Sequence, residues 1–337
     1  MTEQVSIVVT SIFEPNASLQ ELARGAAQNG WEFLIVGDSK SPANFFLKGA
    51  QFFNVEMQRK FNFQLAALCP IGHYTRKNLG YLLAIKNGSA IIVETDDDNI
   101  PVEGFWVPRT KFLNSMEITG QGWYNVYSLY SDRPIWPRGL PLENILQNAT
   151  VELSTNGKDY FSPIQQGLAD GNPDVDAIFR MTHLLPLNFN KRQQPIRLAK
   201  GLWSPFNSQN TTWYKEAFPL LYLPSYCSFR MTDIWRSFVA QRIAWECNWQ
   251  LTFHDATVFQ ERNEHNLLRD FEQEVPGYLF NNKIKQILEN APLRSGVEHI
   301  AHNLRVCYNA LIKENIISSK EEMELLDAWL HDIEKWS

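Results

Sequence analysis

Three consecutive carboxylates, Asp96, Asp97 and Asp98, directly follow an apolar run at residues 90–93. Adjacent negative charges repel one another, so this arrangement is costly unless a cation or solvent compensates it. The run is typical of a buried strand, and in open α/β sheets ligands bind beyond the carboxyl ends of the strands. Mg²⁺ and Mn²⁺ prefer oxygen ligands, usually one or two carboxylates plus substrate phosphates. We therefore predict that Asp96 and Asp98 bind Mn²⁺ or Mg²⁺ and that Asp97 lies against the substrate.

Other interpretations of the three aspartates stay open. A solvated acidic turn that caps a helical turn at residues 102–106 would need no ligand. A haloacid-dehalogenase-like phosphatase would use Asp96 as nucleophile and Asp98 as acid, but that pair follows the first strand of its fold. Here the pair follows roughly the third strand, after an N-terminal half of the kind that binds a nucleoside. This order favours transfer of a group from a nucleoside diphosphate, with the metal joined to both phosphates.

The N-terminal elements that would position the aspartates follow a β-α-β pattern. Residues 5–10 form a β-branched run, Asn16 precedes an amphipathic helical pattern that ends at Asn29-Gly30, and residues 31–36 form a second strand pattern. Such a unit predicts a parallel sheet with a right-handed crossover.

The rest of the chain is predicted to divide into two parts. A second helix is expected at residues 74–85 and a third strand at residues 89–94. Proline, glycine, asparagine and aromatic residues crowd residues 101–224 between short strand candidates such as residues 123–129, which is typical of long loops over a sheet. Beyond residue 260 the pattern is mostly helical. We expect an α/β catalytic domain at residues 1–260 and a helical C-terminal extension at residues 261–337.

Composition excludes several classes of protein. The 31 Lys and Arg residues against 37 Asp and Glu give a net charge of −6, which argues against nucleic acid as the main partner. No window approaches the roughly 20 apolar residues of a membrane span. The four cysteines have no C-x-x-C spacing, so neither a zinc knuckle nor a disulfide framework is indicated. We expect a cytoplasmic protein.

Several segments resemble known sugar-transferring enzymes. Residues 5–10, residues 33–38 with Lys40, the Arg-Lys-Asn-Leu-Gly segment at 76–80 and Thr-Asp-Asp-Asp-Asn at 95–99 are similar to the nucleotide-sugar half of GT-A glycosyltransferases. More specifically, residues 76–99, 136–141 and 171–180 resemble the STELLO-type glycosyltransferases, whose relatives include the reversibly glycosylated polypeptides, which act as UDP-arabinopyranose mutases. The resemblance covers roughly residues 5–280. It implies a GT-A, Rossmann-like fold with a mostly parallel central sheet flanked by helices.

The resemblance also implies roles for individual residues. The base and ribose of the donor would lie against Thr10 and Asp38, near Lys40. Arg76 and Asn78 would face the diphosphate, because side-chain charge and helix N–H groups both favour an anion. His254 would be a third metal ligand, in addition to Asp96 and Asp98. In the mutase relatives an Arg-Gly-x-Pro arginine can accept the sugar, and Arg138 in Arg-Gly-Leu-Pro occupies the matching place.

Three further acids are candidates for the reacting end of the site. Asp174 and Asp176 would share one face of an extended segment and could bind sugar hydroxyls or a basic group, or Asp174 could only cap a turn. Asp233 precedes an aromatic helical segment. It could be a general base, could stabilise positive charge at the anomeric carbon, or could be a helix N-cap.

The expected activity is transfer of a sugar from a nucleoside diphosphate, with UDP as the expected nucleotide, to an unidentified acceptor, with Mn²⁺ or Mg²⁺ as cofactor. Two alternatives remain open at this point. The chain could be a UDP-sugar mutase, which needs no separate acceptor, or a non-catalytic protein of GT-A fold that binds other proteins. The apolar stripe of the C-terminal helices could pack on its own domain or form a homo-oligomer.

Overall fold

The computed structural model describes residues 3–107, 110–147, 149–155, 157–261 and 266–336. It confirms an α/β fold in which helices flank a large central sheet and the C-terminal region is helical. The strands are β1 (Val5–Thr10), β2 (Glu32–Val36), β3 (Gln51–Phe53), β4 (Ile91–Thr95), β5 (Asn99–Pro101), β6 (Phe112–Asn114), β7 (Met116–Gly120), β8 (Gly122–Trp123), β9 (Val151–Ser154), β10 (Asp159–Phe161), β11 (Ile164–Asp170), β12 (Ile196–Leu198), β13 (Leu202–Trp203), β14 (Asn210–Tyr214) and β15 (Leu251–Gln260). The α-helices are α1 (Ala17–Asn29), α2 (Val55–Arg59), α3 (Gln64–Leu68), α4 (Lys77–Lys86), α5 (Ala177–Thr182), α6 (Thr232–Glu246), α7 (Leu267–Asn290), α8 (Ile300–Lys313) and α9 (Glu322–Trp336).

The main sheet has the spatial order β3-β2-β1-β4-β14-β11-β15-β12-β7-β9, and β5 pairs with β15. The first four strands in this order are all parallel, as the β-α-β pattern predicts. From β14 onward the sheet is mixed, because β14 runs antiparallel to both β4 and β11. The carboxyl ends of β1, β2 and β4 therefore meet at one edge, where the three aspartates begin.

The first β-α-β unit shows why the sequence pattern predicts this region well. The side chain of Asn16 accepts a hydrogen bond from the Leu19 N–H and caps α1. Gly30 ends the helix in the left-handed conformation with φ 67°, which glycine adopts without steric cost. Both strands that follow from the pattern, β1 and β2, are buried in the sheet. Capping residues and apolar periodicity indicate the same helix and strands here, so the ends of these elements can be read from the sequence.

The middle of the chain differs from the expectation of long loops. It supplies β7, β9, β11, β12 and β14 to the main sheet. Two of these strands, β11 and β14, lack the apolar alternation of a typical strand: β11 reads Ile-Gln-Gln-Gly-Leu-Ala-Asp and is buried along nearly all of its length. Its polar side chains are satisfied inside the fold, as when Gln166 Nε2 donates to the Asn210 carbonyl at 3.2 Å. A strand candidate at residues 123–129 was wrong, because Val126–Leu129 is a 3₁₀ turn.

The C-terminal helices pack against the chain's own core. Trp329 of α9 is fully buried, and its Nε1 donates to the Pro219 carbonyl at 3.0 Å. The Asp332 carboxylate accepts hydrogen bonds from the Gln64 and Leu65 N–H groups, each at 2.9 Å, and so caps α3. The apolar stripe that suggested a homo-oligomer is thus used within the chain. Among the described helices, none is long and apolar enough to span a membrane.

Candidate functional site

A cleft of about 680 Å³ opens at the sheet edge where β1, β2 and β4 end. This volume lies within the usual range of small-molecule sites, roughly 300–1,000 Å³. The structure brings ten of the thirteen candidate residues to its walls, which are Thr10, Asp38, Lys40, Arg76, Asp96, Asp97, Asp98, Arg138, Asp174 and Asp233. Asn78, Asp176 and His254 do not line it.

Each carboxylate of the triplet is held by a different part of the chain. The Ser11 hydroxyl, just beyond β1, donates to Asp97 Oδ2 at 2.6 Å. At the end of β15, Gln260 Nε2 donates to both carboxylate oxygens of Asp98, at 3.1 and 3.2 Å. The buried Lys77 ammonium of α4 donates to Asp96 Oδ1 at 3.3 Å. The three side chains are therefore fixed at the cleft wall before any ligand binds.

Burial and mutual repulsion raise the pKa values of two of these acids. The pKa of Asp96 is raised to about 7, mainly by burial, with Asp98 and Asp97 adding to the rise and Lys77 opposing it. The pKa of Asp97 is raised to about 6, again mainly by burial, and the Ser11 hydrogen bond opposes the rise. Perturbed acids in a cleft are typical of functional sites. A cation bound beside these acids would stabilise their ionised forms.

The donor atoms at this end of the cleft fit a hard divalent cation, because Asp96 and Asp98 offer only oxygen ligands. Within the described ranges, no cluster of three or more His, Cys, Asp and Glu side chains could hold a metal ion by itself. Mg²⁺ and Mn²⁺ commonly take one or two carboxylates and complete their shell with substrate phosphates and water. These donor atoms therefore fit a cation that would also be bound by a phosphate-bearing ligand.

Asp38, after β2, organises the neighbouring loop. Its Oδ1 accepts from the N–H groups of Ser39 at 2.6 Å and Gly72 at 2.8 Å, and its Oδ2 accepts from the His73 N–H at 2.9 Å. Thr10 and Lys40 line the same part of the cleft. Asp38 thus fixes the backbone around this end of the cleft, in addition to lining it.

Arg138 forms a buried cluster with two acids on the cleft wall. Its Nε and Nη2 donate to the Asp174 carboxylate at 2.8 and 2.9 Å, and its Nη1 and Nη2 donate to the Asp233 carboxylate at 3.0 and 2.9 Å. A further hydrogen bond joins Nη1 to the Arg230 carbonyl. These contacts use all five N–H donors of a guanidinium. The cluster is therefore a rigid unit with two carboxylates and one cation.

The contacts within this cluster favour the charged forms of Arg138 and Asp233. The pKa of Arg138 is raised, because the two carboxylates outweigh the cost of burial. Burial alone would raise the pKa of Asp233, but attraction and hydrogen bonds from Arg138, together with Arg236 and the Ser208 N–H, lower it overall. Asp233 is not the N-cap of α6, which is Met231. The lowered pKa favours the ionised form of Asp233, so it is not an acid poised to exchange protons near pH 7.

Four predicted residues have side chains engaged elsewhere. Arg76 lines the cleft, but its guanidinium donates to Gln58 and to backbone carbonyls. Asn78 exchanges two hydrogen bonds with the Leu223 backbone, both at 2.9 Å.

Asp176 caps α5 by accepting from the Phe179 N–H at 2.7 Å, and it also accepts from the Trp136 indole at 2.8 Å. His254 lies in β15 with its Nδ1 at 2.9 Å from the Asp255 carbonyl, and it does not line the cleft that holds the three aspartates. Asp176 therefore forms hydrogen bonds that stabilise the fold. His254 does not line the cleft beside the three aspartates.

Other cleft residues are absent from the sequence-based candidates. The first turns of α7 contribute Asn266, Arg269, Asp270 and Gln273, whose spacing of three and four residues places them on one helix face. This face belongs to the region that the sequence suggested as a separate extension. Phe229 lines the cleft 48% exposed, with its ring 5.8 Å from that of His73.

Comparison with known proteins adds a sequence relationship to this geometry. A family model described as STELLO glycosyltransferases matches residues 230–337. The probable glycosyltransferase STELLO2 of Arabidopsis thaliana is 32% identical over 275 residues, which are 75% of this chain and 35% of the relative. The probable glycosyltransferase STELLO1 of the same plant is 30% identical over 273 residues, with the same two shares. The resemblance to STELLO-type glycosyltransferases is confirmed. The chain spans about a third of the length of these curated relatives.

The region matched by the STELLO family model contains part of the cleft. Asp233 and the α7 residues Arg269 and Gln273 lie within residues 230–337, whereas the three aspartates lie outside that range. The STELLO-like helical region is therefore part of the candidate site and also part of the core.

Proposed function

We propose that this protein is a metal-dependent glycosyltransferase that moves a sugar from a nucleoside diphosphate, with UDP as the expected nucleotide, to a hydroxyl-bearing acceptor. The observation that carries the proposal is the presence of the aspartate triplet and the Arg138 cluster in one cleft of about 680 Å³. The relationship to STELLO glycosyltransferases supports the same reaction class.

In this proposal the donor diphosphate lies beside Asp96 and Asp98, and the nucleoside lies towards Thr10 and Asp38. When bound, a divalent cation supplies positive charge that neutralises the leaving diphosphate. The chain's own contribution is positioning, because Ser11 and Gln260 fix two of the carboxylates. Lys40 adds a further cation on the same part of the cleft wall.

Asp233 is proposed to stabilise positive charge that develops at the anomeric carbon. A carboxylate whose pKa is lowered accepts a proton poorly, so the general-base role is disfavoured. Its fixed negative charge in a partly dehydrated cleft suits electrostatic stabilisation. Arg138 fixes the position of the Asp233 carboxylate through two hydrogen bonds.

The same geometry disfavours the mutase alternative in which Arg138 carries the sugar. A guanidinium attacks a sugar carbon only after losing a proton, and here two carboxylates raise the pKa of Arg138. Its five N–H donors are also engaged. Arg138 is therefore proposed to be a positioning residue, without a covalent sugar adduct.

The α7 face is proposed to be the acceptor wall. Asn266, Arg269 and Gln273 offer amide and guanidinium donors to the cleft, and such groups recognise sugar hydroxyls by directional hydrogen bonds. The exposed Phe229 ring lines the same cleft and can pack against the C–H face of a sugar. The acceptor is therefore expected to be a carbohydrate.

A turnover assay with labelled UDP-sugars, with and without Mn²⁺, tests the proposal. We expect metal-dependent release of UDP, with transfer when a carbohydrate acceptor is supplied, and a loss of at least a hundredfold in Asp98→Asn. The matched control is Asp327→Asn, which changes an exposed aspartate of α9 and should behave as wild type. Pyranose–furanose exchange without UDP release would identify a mutase. No turnover and no nucleotide binding would leave a non-catalytic protein and overturn the proposal.

A further inference from the structure

Lys77, in the first turn of α4, is a fully buried lysine directly beneath the aspartate triplet. Its side chain is 0% exposed. The ammonium donates to the Thr95 carbonyl at 2.8 Å, to Asp96 Oδ1 at 3.3 Å and to the Ser208 carbonyl at 3.4 Å. Burial of an ammonium is costly unless it is paired and hydrogen-bonded, and these acceptors meet that requirement.

The contacts of Lys77 connect the two charged groups of the cleft. Ser208, whose carbonyl faces the ammonium, donates from its N–H and its hydroxyl to Asp233 Oδ2, at 3.2 and 3.4 Å. Tyr74 is hydrogen-bonded to the same hydroxyl, and its Oη is 3.4 Å from Lys77 Nζ. A chain of hydrogen bonds therefore connects Asp96 to Asp233 through Lys77 and Ser208.

A fixed ammonium in contact with Asp96 acts on a cation in two opposing ways. It holds the carboxylate in place at the end of β4, and it repels any divalent ion that approaches the same carboxylate. At separations of a few ångströms in a partly buried site, this repulsion is large enough to lower cation affinity by roughly tenfold or more. A diphosphate brings negative charges of its own, so it compensates the ammonium and restores affinity.

We propose that Lys77 is a positioning residue that keeps the aspartate triplet a weak cation site until a diphosphate is present. This inference rests on the proposed function, because it assigns the order in which that site fills. The nucleotide and the cation then bind cooperatively, and each raises the affinity for the other by the same factor. A cleft that binds the cation weakly by itself releases it together with the diphosphate product.

The test is Mn²⁺ binding, measured by electron paramagnetic resonance of the free ion, with and without UDP. For wild type we expect UDP to raise Mn²⁺ affinity by about tenfold or more. For Lys77→Gln we expect Mn²⁺ to bind the nucleotide-free protein about tenfold more tightly than it binds wild type, and the effect of UDP to shrink. A purely structural role would weaken Mn²⁺ binding instead. The matched control is Lys313→Gln, which removes an exposed lysine and should leave both affinities unchanged.

A second pair of variants guards against misfolding of Lys77→Gln. In Asp96→Asn and Asp96→Asn/Lys77→Gln the Asp96 carboxylate is already gone, so loss of the ammonium leaves no unpaired carboxylate at this position. The double variant should still bind Mn²⁺ several-fold more tightly than the single one, through Asp98. Equal or weaker binding in both comparisons, in variants that melt cooperatively by circular dichroism, would overturn the inference alone. If wild type bound no Mn²⁺ even with UDP, both the inference and the metal assignment would fail.

Discussion

Replacement of Arg138 by methionine tests the electrostatics of the cleft. Methionine keeps a chain of similar shape but removes the guanidinium from between Asp174 and Asp233, which are 8% and 5% exposed. Removing one partner of a buried ion pair usually costs about 3–5 kcal/mol, because it leaves an uncompensated buried charge. With about 2.1 cal/mol/K of unfolding entropy per residue, 337 residues give about 0.7 kcal/mol/K. The expected fall in Tm is therefore about 4–7 °C.

The pH dependence of this destabilisation provides the sharper test. In wild type the pKa of Asp233 is lowered, so its contribution to stability is present above the unfolded-state pKa and is lost as pH falls through the folded-state pKa. In Arg138→Met the Asp233 carboxylate loses this partner, so burial raises its pKa. The deficit relative to wild type should then shrink as pH falls from 8 to 5.

The assay is thermal unfolding followed by circular dichroism across that pH range. Arg138→Met/Asp174→Asn/Asp233→Asn should regain part of the lost stability, because it removes the unpaired charges together with their partner. A Tm within about 1 °C of wild type at every pH would refute the assignment of a rigid buried cluster.

Mass spectrometry of wild type after incubation with UDP-sugars should show no sugar attached to Arg138.

Four further outcomes are expected. Asp98→Asn should abolish the extra thermal stabilisation that Mn²⁺ gives in the presence of UDP, measured by dye-monitored melting. The same Mn²⁺-dependent shift in wild type should grow from pH 5.5 to 7.5, since the cation displaces protons from Asp96 and Asp97, whose pKa values are about 7 and about 6. Arg269→Ala should raise the acceptor KM at least fivefold more than the donor KM in steady-state kinetics. Asp332→Ala should lower the free energy of unfolding by about 2–3 kcal/mol, because two backbone N–H groups of α3 lose their acceptor, and urea titration would report this.

The sequence predicts the N-terminal part of the fold well for a physical reason. In β1, α1 and β2 the apolar periodicity, the Asn16 cap and the Gly30 terminator all specify the same local structure. The aspartate triplet follows directly from the strand-end rule, because its position depends only on where β4 ends.

Other parts of the site depend on helix rotation and long-range contacts, which the sequence does not display. Consecutive helical residues point about 100° apart, so Arg76, Lys77 and Asn78 cannot all face one cleft. The resemblance favoured Arg76 and Asn78, whereas the ammonium that reaches Asp96 belongs to Lys77. The contribution of α7 depends on how the last part of the chain folds back, and no local pattern in residues 266–273 indicates that.

Two of the middle strands, β11 and β14, were missed because many of their buried side chains are polar. In β11 and β14 the glutamine, asparagine and threonine side chains form hydrogen bonds with one another inside the sheet, as between Thr211 and Gln166 at 3.0 Å. Period-two alternation signals a strand only when one face is apolar. A strand that is buried on both faces among polar partners resembles a loop in composition.

The cap that Asp332 provides for α3 has a consequence for how the protein is synthesised. The helix that covers α3 and α4, which is α9, follows them more than 200 residues later in the sequence. At roughly 5–20 residues per second, more than ten seconds separate the translation of these elements. During that interval the apolar surface that α9 covers stays open to solvent and to chaperones. The packing around α3 and α4 is therefore completed only after α9 has been synthesised.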